Sequence, residues 1–294
     1  MQLGPLRALA DGPPDAPATA VLLHGIGLGP WLFEPWLPMF AQNGVRTVRL
    51  DLHSAKDRGL AGLIEDVELA LDALGGEPVV VGHSMGGLVG QVLAARRQVA
   101  GLALICPLPP GQVRLLPPLG PLRETLALAR PLVAGRPLHV PWPLYRAVGM
   151  DAMDEAVARQ AWERVLDWPN QLTRDLALRR PQVDPGAIRC PVLVAIGRKD
   201  RLVPWATARV LGDLYEAVTW RYDDLGHFPP WEPGGERLGA NLAAWVAAPS
   251  RPQVLESEGY GPREGVGHEL RRARRGEEMQ KRSAYGQKRS ARGG

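Results

Sequence analysis

A hydroxyl becomes a useful nucleophile only when an imidazole removes its proton and a carboxylate holds that imidazole in place. Residues of these three types stand where such a relay can assemble. Gly82-His83-Ser84-Met85-Gly86-Gly87 follows the apolar run PVVV and runs into the helical pattern GLVGQVLAARR. Strand, sharp turn and helix in that order project a serine hydroxyl from a sheet edge, and glycine two residues to either side avoids a collision. Ser84 is the candidate nucleophile. The helix beginning near Gly86 aims its unpaired N–H groups and positive dipole end at the same spot, so the N–H of Met85 is the first candidate oxyanion donor. His24-Gly25-Ile26-Gly27 follows TAVLL, and the N–H of Ile26 is the second.

His227, in Leu225-Gly226-His227-Phe228, follows the last strand-like run and precedes the final helical pattern. That order puts it on a loop at the carboxyl edge of the sheet, the edge of Ser84, and makes it the candidate base. Asp200, in the loop Gly197-Arg198-Lys199-Asp200-Arg201-Leu202-Val203-Pro204, is the candidate acid, which gives the chain order Ser, Asp, His. Asp223 and Asp224 compete for that role, but they sit at a strand end too near His227 in sequence to reach its imidazole readily. His24 and His83, beside glycine turns, are read as orienting backbone, and Glu232 as a helix-entry or surface residue. His53, His139 and His268 have no supporting context.

The elements that must position these residues alternate. Short apolar runs at 19–24, 45–50, 78–83, 99–105, 190–196 and 217–222 are apolar on both faces, as a parallel sheet covered on both sides requires. Helical patterns fall at 31–42, 60–74, 86–97, 205–214 and 235–247. In 60–74, Leu60, Leu63, Ile64, Val67, Leu71 and Leu74 share one face. The alternation predicts an α/β fold, a mostly parallel sheet flanked by helices. It breaks between 107 and 186, where ten prolines fall within 107–143 and helices return at 151–167 and 170–180. This stretch reads as a cap or lid inserted between two sheet strands.

Of 294 residues, 45% are hydrophobic and 22% charged, which excludes a mainly disordered chain. The net charge of +4 and the isoelectric point near 9.3 suggest an acidic partner until the charges are located. Residues 251–294 hold 11 Lys and Arg against 6 Asp and Glu, whereas the first 250 hold 24 against 25. Basicity therefore belongs to a polar tail, 250–294, that is expected to be disordered. Nucleic-acid or anionic-membrane contact by this tail is the weaker reading, because its arginines are interspersed with glutamates.

Two cysteines, Cys106 and Cys190, show no metal-ligand spacing, so neither a metal nor another cofactor is expected. If they end and begin neighbouring parallel strands, their sulfurs lie about 20 Å apart, beyond disulfide reach. No signal peptide or transmembrane run is apparent, which predicts a cytoplasmic protein.

HGIG, GHSMGG, GRKDRLVP and LGHFPPWE, in this order over residues 19–247, resemble the motifs of the α/β-hydrolase superfamily, and most nearly its capped serine esterase and lysophospholipase-like branch. The resemblance implies an eight-stranded sheet and a helical cap after the sixth strand. The core would comprise 1–106 and 187–249, and the cap 107–186. It implies a Ser84-Asp200-His227 triad with Ile26 and Met85 as the oxyanion hole, acting on a small-molecule ester, or thioester, of apolar acyl character. Serine at the elbow argues against dehalogenases and epoxide hydrolases. A cofactor-free haloperoxidase or perhydrolase, and a low-turnover ligand-binding relative, are the competing readings. Two departures from the family stand out: the Asp51–Gly59 loop lacks the usual Asp-x-x-Gly-x-Gly, and the first two strands are poorly marked within 1–18. Trp31, Leu32, Trp142 and Tyr145 are candidate pocket residues; Trp142, Tyr145, Trp162 and Trp168 suit equally a pocket or packing against the sheet, and Trp31 suits the core as well.

Overall fold

The structure is a computed structural model that describes residues 1–54, 58–114 and 133–250. The tail at 251–294, with His268 and the expected disorder and charged contacts, lies outside the described residues, as do 55–57 in the loop after Asp51 and 115–132 in the proline-rich insert.

Eight strands form one sheet: β1 (Gln2–Leu3), β2 (Leu6–Asp11), β3 (Ala18–Leu23), β4 (Val45–Asp51), β5 (Val79–His83), β6 (Gly101–Ile105), β7 (Val192–Gly197) and β8 (Val218–Tyr222). Their spatial order is β1-β2-β4-β3-β5-β6-β7-β8. The β1–β2 and β2–β4 pairs are antiparallel and the rest are parallel. Every residue of β5, β6 and β7 is buried, because helices cover both faces. The two strands poorly marked in the sequence are present. β2 alternates, with Leu6 and Ala8 buried and Arg7 and Leu9 exposed, as befits an antiparallel strand with one wet face.

The flanking helices are α1 (Leu37–Gln42), α2 (Gly59–Leu74), α3 (Met85–Arg96), α4 (Trp142–Val148), α5 (Glu155–Glu163), α6 (Asn170–Leu178), α7 (Trp205–Tyr215) and α8 (Gly235–Ala247), counted among the described residues. α2 buries Leu60, Leu63, Ile64, Val67 and Leu71, the stripe its spacing predicts. α3 is buried nearly all round, which its evenly apolar sequence permits. The pattern at 31–42 divides into a 3-10 turn, Pro30–Trp36, and the short α1.

Helices α4 to α6 lie between β6 and β7. Three contacts tie this insert to the core loops. The N–H of Leu166 donates to Gly27 O at 2.8 Å, Asp175 Oδ2 accepts from the N–H of Leu60 at 3.0 Å, and Arg164 makes a two-pronged pair with Glu34.

The chain runs from β3 to β4 on one side and then returns to place β5 on the other side of β3. Neighbouring strands whose following loops lead in opposite directions leave a crevice at their carboxyl ends, the usual ligand position in an open α/β sheet. Here those ends carry His24–Gly27 and Ser84.

Candidate active site

Ser84 sits between β5 and α3 with φ 53° and ψ −117°, a backbone conformation that side-chain-bearing residues rarely adopt. The turn is held by Ser84 N–H donating to Ile105 O and by Ser84 O accepting from the N–H groups of Gly87 and Leu108. Close approach explains the two glycines of the motif. A Cβ on Gly82 would stand 2.3 Å from Gly86 O, and one on Gly86 would stand 2.1 Å from Leu23 O. Met85 is the first residue of α3, where N–H groups have no intrahelical acceptor. The loop after β3 comes alongside, since a Cβ on Gly25 would be 3.1 Å from Ser84 Cβ. Ile26, the other expected donor, follows directly in that loop.

His227 and Asp200 form a buried pair, Nδ1 to Oδ2 at 2.8 Å. Asp200 Oδ1 accepts from the N–H groups of Leu202 and Val203, both at 2.8 Å, so the carboxylate is fixed from both oxygens. The competitors point elsewhere: Asp223 pairs with Arg221 and Asp224 with Arg237 at the surface.

His83 joins the elbow to the imidazole loop. Its Nε2 donates to the carbonyl of His227 at 2.7 Å, and the rings lie 4.9 Å apart. Its Nδ1 is buried without a partner. Burial pushes the His83 pKa well below the usual range, as does the neighbouring His227, so its ring is neutral. His24 acts similarly on the other side. Its Nδ1 donates to Gly25 O at 2.8 Å and its Nε2 accepts from the N–H of Leu52 at 3.0 Å. Burial lowers its pKa to about 4.

Glu232 is neither exposed nor merely at a helix entry. It is 4% exposed, and its carboxylate accepts from the N–H of Phe228 at 2.8 Å and from that of Gly226. Cys106, which directly follows β6 with φ 45°, directs its Sγ to Gly226 O at 3.5 Å and lies within 4.8 Å of the facing Asp200 and His227 atoms. Burial first, then the Asp200 charge, pushes its thiol pKa well up, so it stays protonated. No disulfide joins it to Cys190. Sequence reasoning missed both supports because their partners are backbone groups, which no residue type marks: for Glu232 four and six residues back in the same segment, for Cys106 on a distant loop.

A small cleft lies beside the loop after β3 and the start of α3, lined in part by Ile26, Met85, His53, Leu63, Pro169 and Leu172. The expected pocket residues do not line it. Trp31 is buried edge-on against Trp231 with the Arg164 guanidinium over its ring, and Leu32 is buried beneath. Trp142 packs on Trp162 under Arg159, and Tyr145 packs its ring on those of Phe228 and Trp168.

The arrangement fits a known lineage. Residues 20–272 match the alpha/beta hydrolase family, and the chain belongs to it. Among solved structures it is similar to a monoacylglycerol lipase of Paleococcus ferrophilus, at 19% identity and TM-score 0.64, covering 83% of this chain and 99% of that one. It is also similar to a thermophilic esterase of Thermogutta terrifontis, at 21% identity and TM-score 0.62, over 82% and 92% of the two chains. An enol-lactonase of Burkholderia xenovorans aligns at 20% identity and TM-score 0.63, over 82% and 96%. No curated protein matches. The chain is thus an α/β hydrolase, and at these identities the structural likenesses speak to fold alone. No helix among the described residues is long and apolar enough to cross a membrane.

Proposed function

We propose that this α/β hydrolase is a serine esterase that cleaves carboxylic esters, thioesters among them, of apolar acyl substrates through an acyl-enzyme. One observation carries the reading: a serine in a strained strand-to-helix turn at the sheet's switch point, with a buried Asp200–His227 pair on a loop tied to that turn through His83.

Asp200 occupies Nδ1 of His227, which leaves Nε2 to take the Ser84 proton as Oγ attacks the ester carbonyl. The N–H groups of Ile26 and Met85 then stabilise the oxyanion. His227 returns the proton to the leaving alcohol or thiol. It next deprotonates a water that attacks the acyl-enzyme, and Ser84 regains its proton as the acid leaves. Asp200 holds the tautomer and offsets the imidazolium charge. Residues 107–186 act as a cap on a core of 1–106 and 187–249, a reading supported by the Leu166–Gly27 and Asp175–Leu60 contacts. The names lipase, esterase and lactonase among the similar structures favour an ester carbonyl as electrophile. The unbridged cysteines fit a reducing compartment and support a cytoplasmic location.

Hydrolysis of p-nitrophenyl butyrate by the wild type and by Ser84→Ala tests the reading. Steady turnover lost in the variant supports it, and turnover that survives overturns it. Adding hydrogen peroxide distinguishes a perhydrolase, which would form peracid in preference to acid. A stable adduct after a single burst would instead mark a binding protein.

A further inference from the structure

The backbone around His227 is held at successive points. The Leu225 carbonyl accepts from the N–H of Lys199 at 2.9 Å, the Gly226 carbonyl faces Cys106 Sγ at 3.5 Å, and the His227 carbonyl accepts from His83 Nε2 at 2.7 Å. The two N–H groups that flank His227, those of Gly226 and Phe228, both donate to Glu232. The carboxylate returns to them because Pro229 and Pro230 open a 3-10 turn, Pro229–Trp231, that folds the chain back on itself. Gly235 N–H then donates to Glu232 O at 2.9 Å, which anchors the same residue to the start of α8. Glu232 touches no reacting atom in the proposed mechanism, yet among the described residues no other side chain binds the N–H groups on both sides of His227.

We propose that Glu232 is a positioning residue for His227, a buried carboxylate that clamps the two flanking N–H groups and so sets the reach of the imidazole toward Ser84. The inference rests on the serine esterase reading above. Two acceptor oxygens are needed for two donors that diverge around one residue. A carboxamide at this position would offer one oxygen and turn an NH2 group against the second N–H. Protonation of Glu232 has the same effect, since the protonated oxygen becomes a donor.

The titratable groups facing the carboxylate are His227 on its own loop, Asp200 on the loop after β7 and Cys106 directly after β6. Burial pushes Glu232 up to about 7, against its two N–H donors and His227, which favour the ionised form. Falling pH therefore protonates the clamp in the neutral range. Glu232→Gln removes this titration from the acidic limb of the rate profile.

The test measures kcat and KM for p-nitrophenyl butyrate from pH 5 to 9 in the wild type, Glu232→Gln and Glu232→Asp. Rates are normalised to the sites labelled by a fluorophosphonate probe. Glu232→Gln is expected to lower kcat by about tenfold to a hundredfold, the cost of a misplacement near 1 Å, with KM changed less than about twofold. Its acidic kcat/KM limb is expected at lower pH than the wild type. Should Glu232→Gln not fold, Glu232→Asp carries the test: it keeps the charge but reaches only one N–H, and it should lose kcat at unchanged KM. A folded variant with wild-type kcat per labelled site overturns the proposal. A lowered kcat with an unmoved limb in Glu232→Gln marks a role in folding alone and overturns it too. Ser84→Ala run alongside separates the two readings: if it retains hydrolysis, the esterase reading falls and takes this one with it.

Discussion

The residue that precedes Ser84 reaches across the sheet edge to the loop that carries His227: His83 Nε2 donates to the His227 carbonyl at 2.7 Å. A carbonyl can only accept, so this bond fixes the His83 tautomer and ties the position of Ser84 to that of His227 with one hydrogen bond. Burial keeps the ring neutral, so the link would not compete for the proton that the proposed mechanism assigns to His227.

Replacing Asp200 by Asn tests the His227–Asp200 pair. The amide can donate to Nδ1, which favours the wrong imidazole tautomer while leaving the packing in place. A fall of about 10⁴ in kcat at unchanged thermal stability is expected. Hydrolysis of p-nitrophenyl butyrate by Asp200→Asn at near wild-type rate would remove Asp200 from the mechanism.

Gly86→Ala should damage the fold as well as the site. Its Cβ would meet Leu23 O at 2.1 Å, a backbone atom of a central strand that cannot step aside. Overpacking of this kind costs about 1–3 kcal/mol or more. Urea denaturation should show a lower midpoint, and an unchanged midpoint would contradict the close approach of β3 and α3.

His24 makes stability pH-dependent. Its folded pKa, near 4, lies below the usual 6.5, because burial disfavours the charged ring. The unfolded chain then binds the proton more readily between those values. Stability from the neutral ring is present above about pH 6.5 and is lost as pH falls toward 4, by about 3 kcal/mol. His24→Gln should lose less stability than the wild type between pH 7 and 4. Parallel urea-stability curves for the two proteins would refute the assignment.

Asp175 reaches from α6 to cap the first turn of α2, accepting from Leu60 N–H at 3.0 Å. Asp175→Ala should destabilise the protein by about 1 kcal/mol, the usual cost of a lost helix cap. Thermal unfolding checks this, and an unshifted Tm would show that the insert does not hold α2.

The parts of the molecule readable from the sequence are those whose pattern is local and strong. The apolar stripe of α2 and the doubly buried β5, β6 and β7 each write their environment into successive residues. Ser84 and its glycines were readable because a tight turn restricts residue types at fixed offsets. β2 was obscure because only one of its faces is buried, which halves the apolar signal. α4 was hidden by prolines that look like breakers, although Pro143 lies in its first turn, where no intrahelical N–H is lost. The cleft is lined by segments far apart in the chain, and the Glu232 clamp, although local, is made to backbone N–H groups that no residue type marks. Aromatic content did not locate the cleft, because Trp31 packs on Trp231, Trp142 on Trp162 and Tyr145 on Trp168.

The central claim is that Ser84 is a nucleophile activated by His227. Incubation with a fluorophosphonate probe, followed by intact-mass and peptide-mapping mass spectrometry, tests it most directly. One adduct per chain is expected, mapped to Ser84, absent in Ser84→Ala and much slower to form in His227→Ala. No adduct on the wild type, or an adduct that persists in Ser84→Ala, would contradict it.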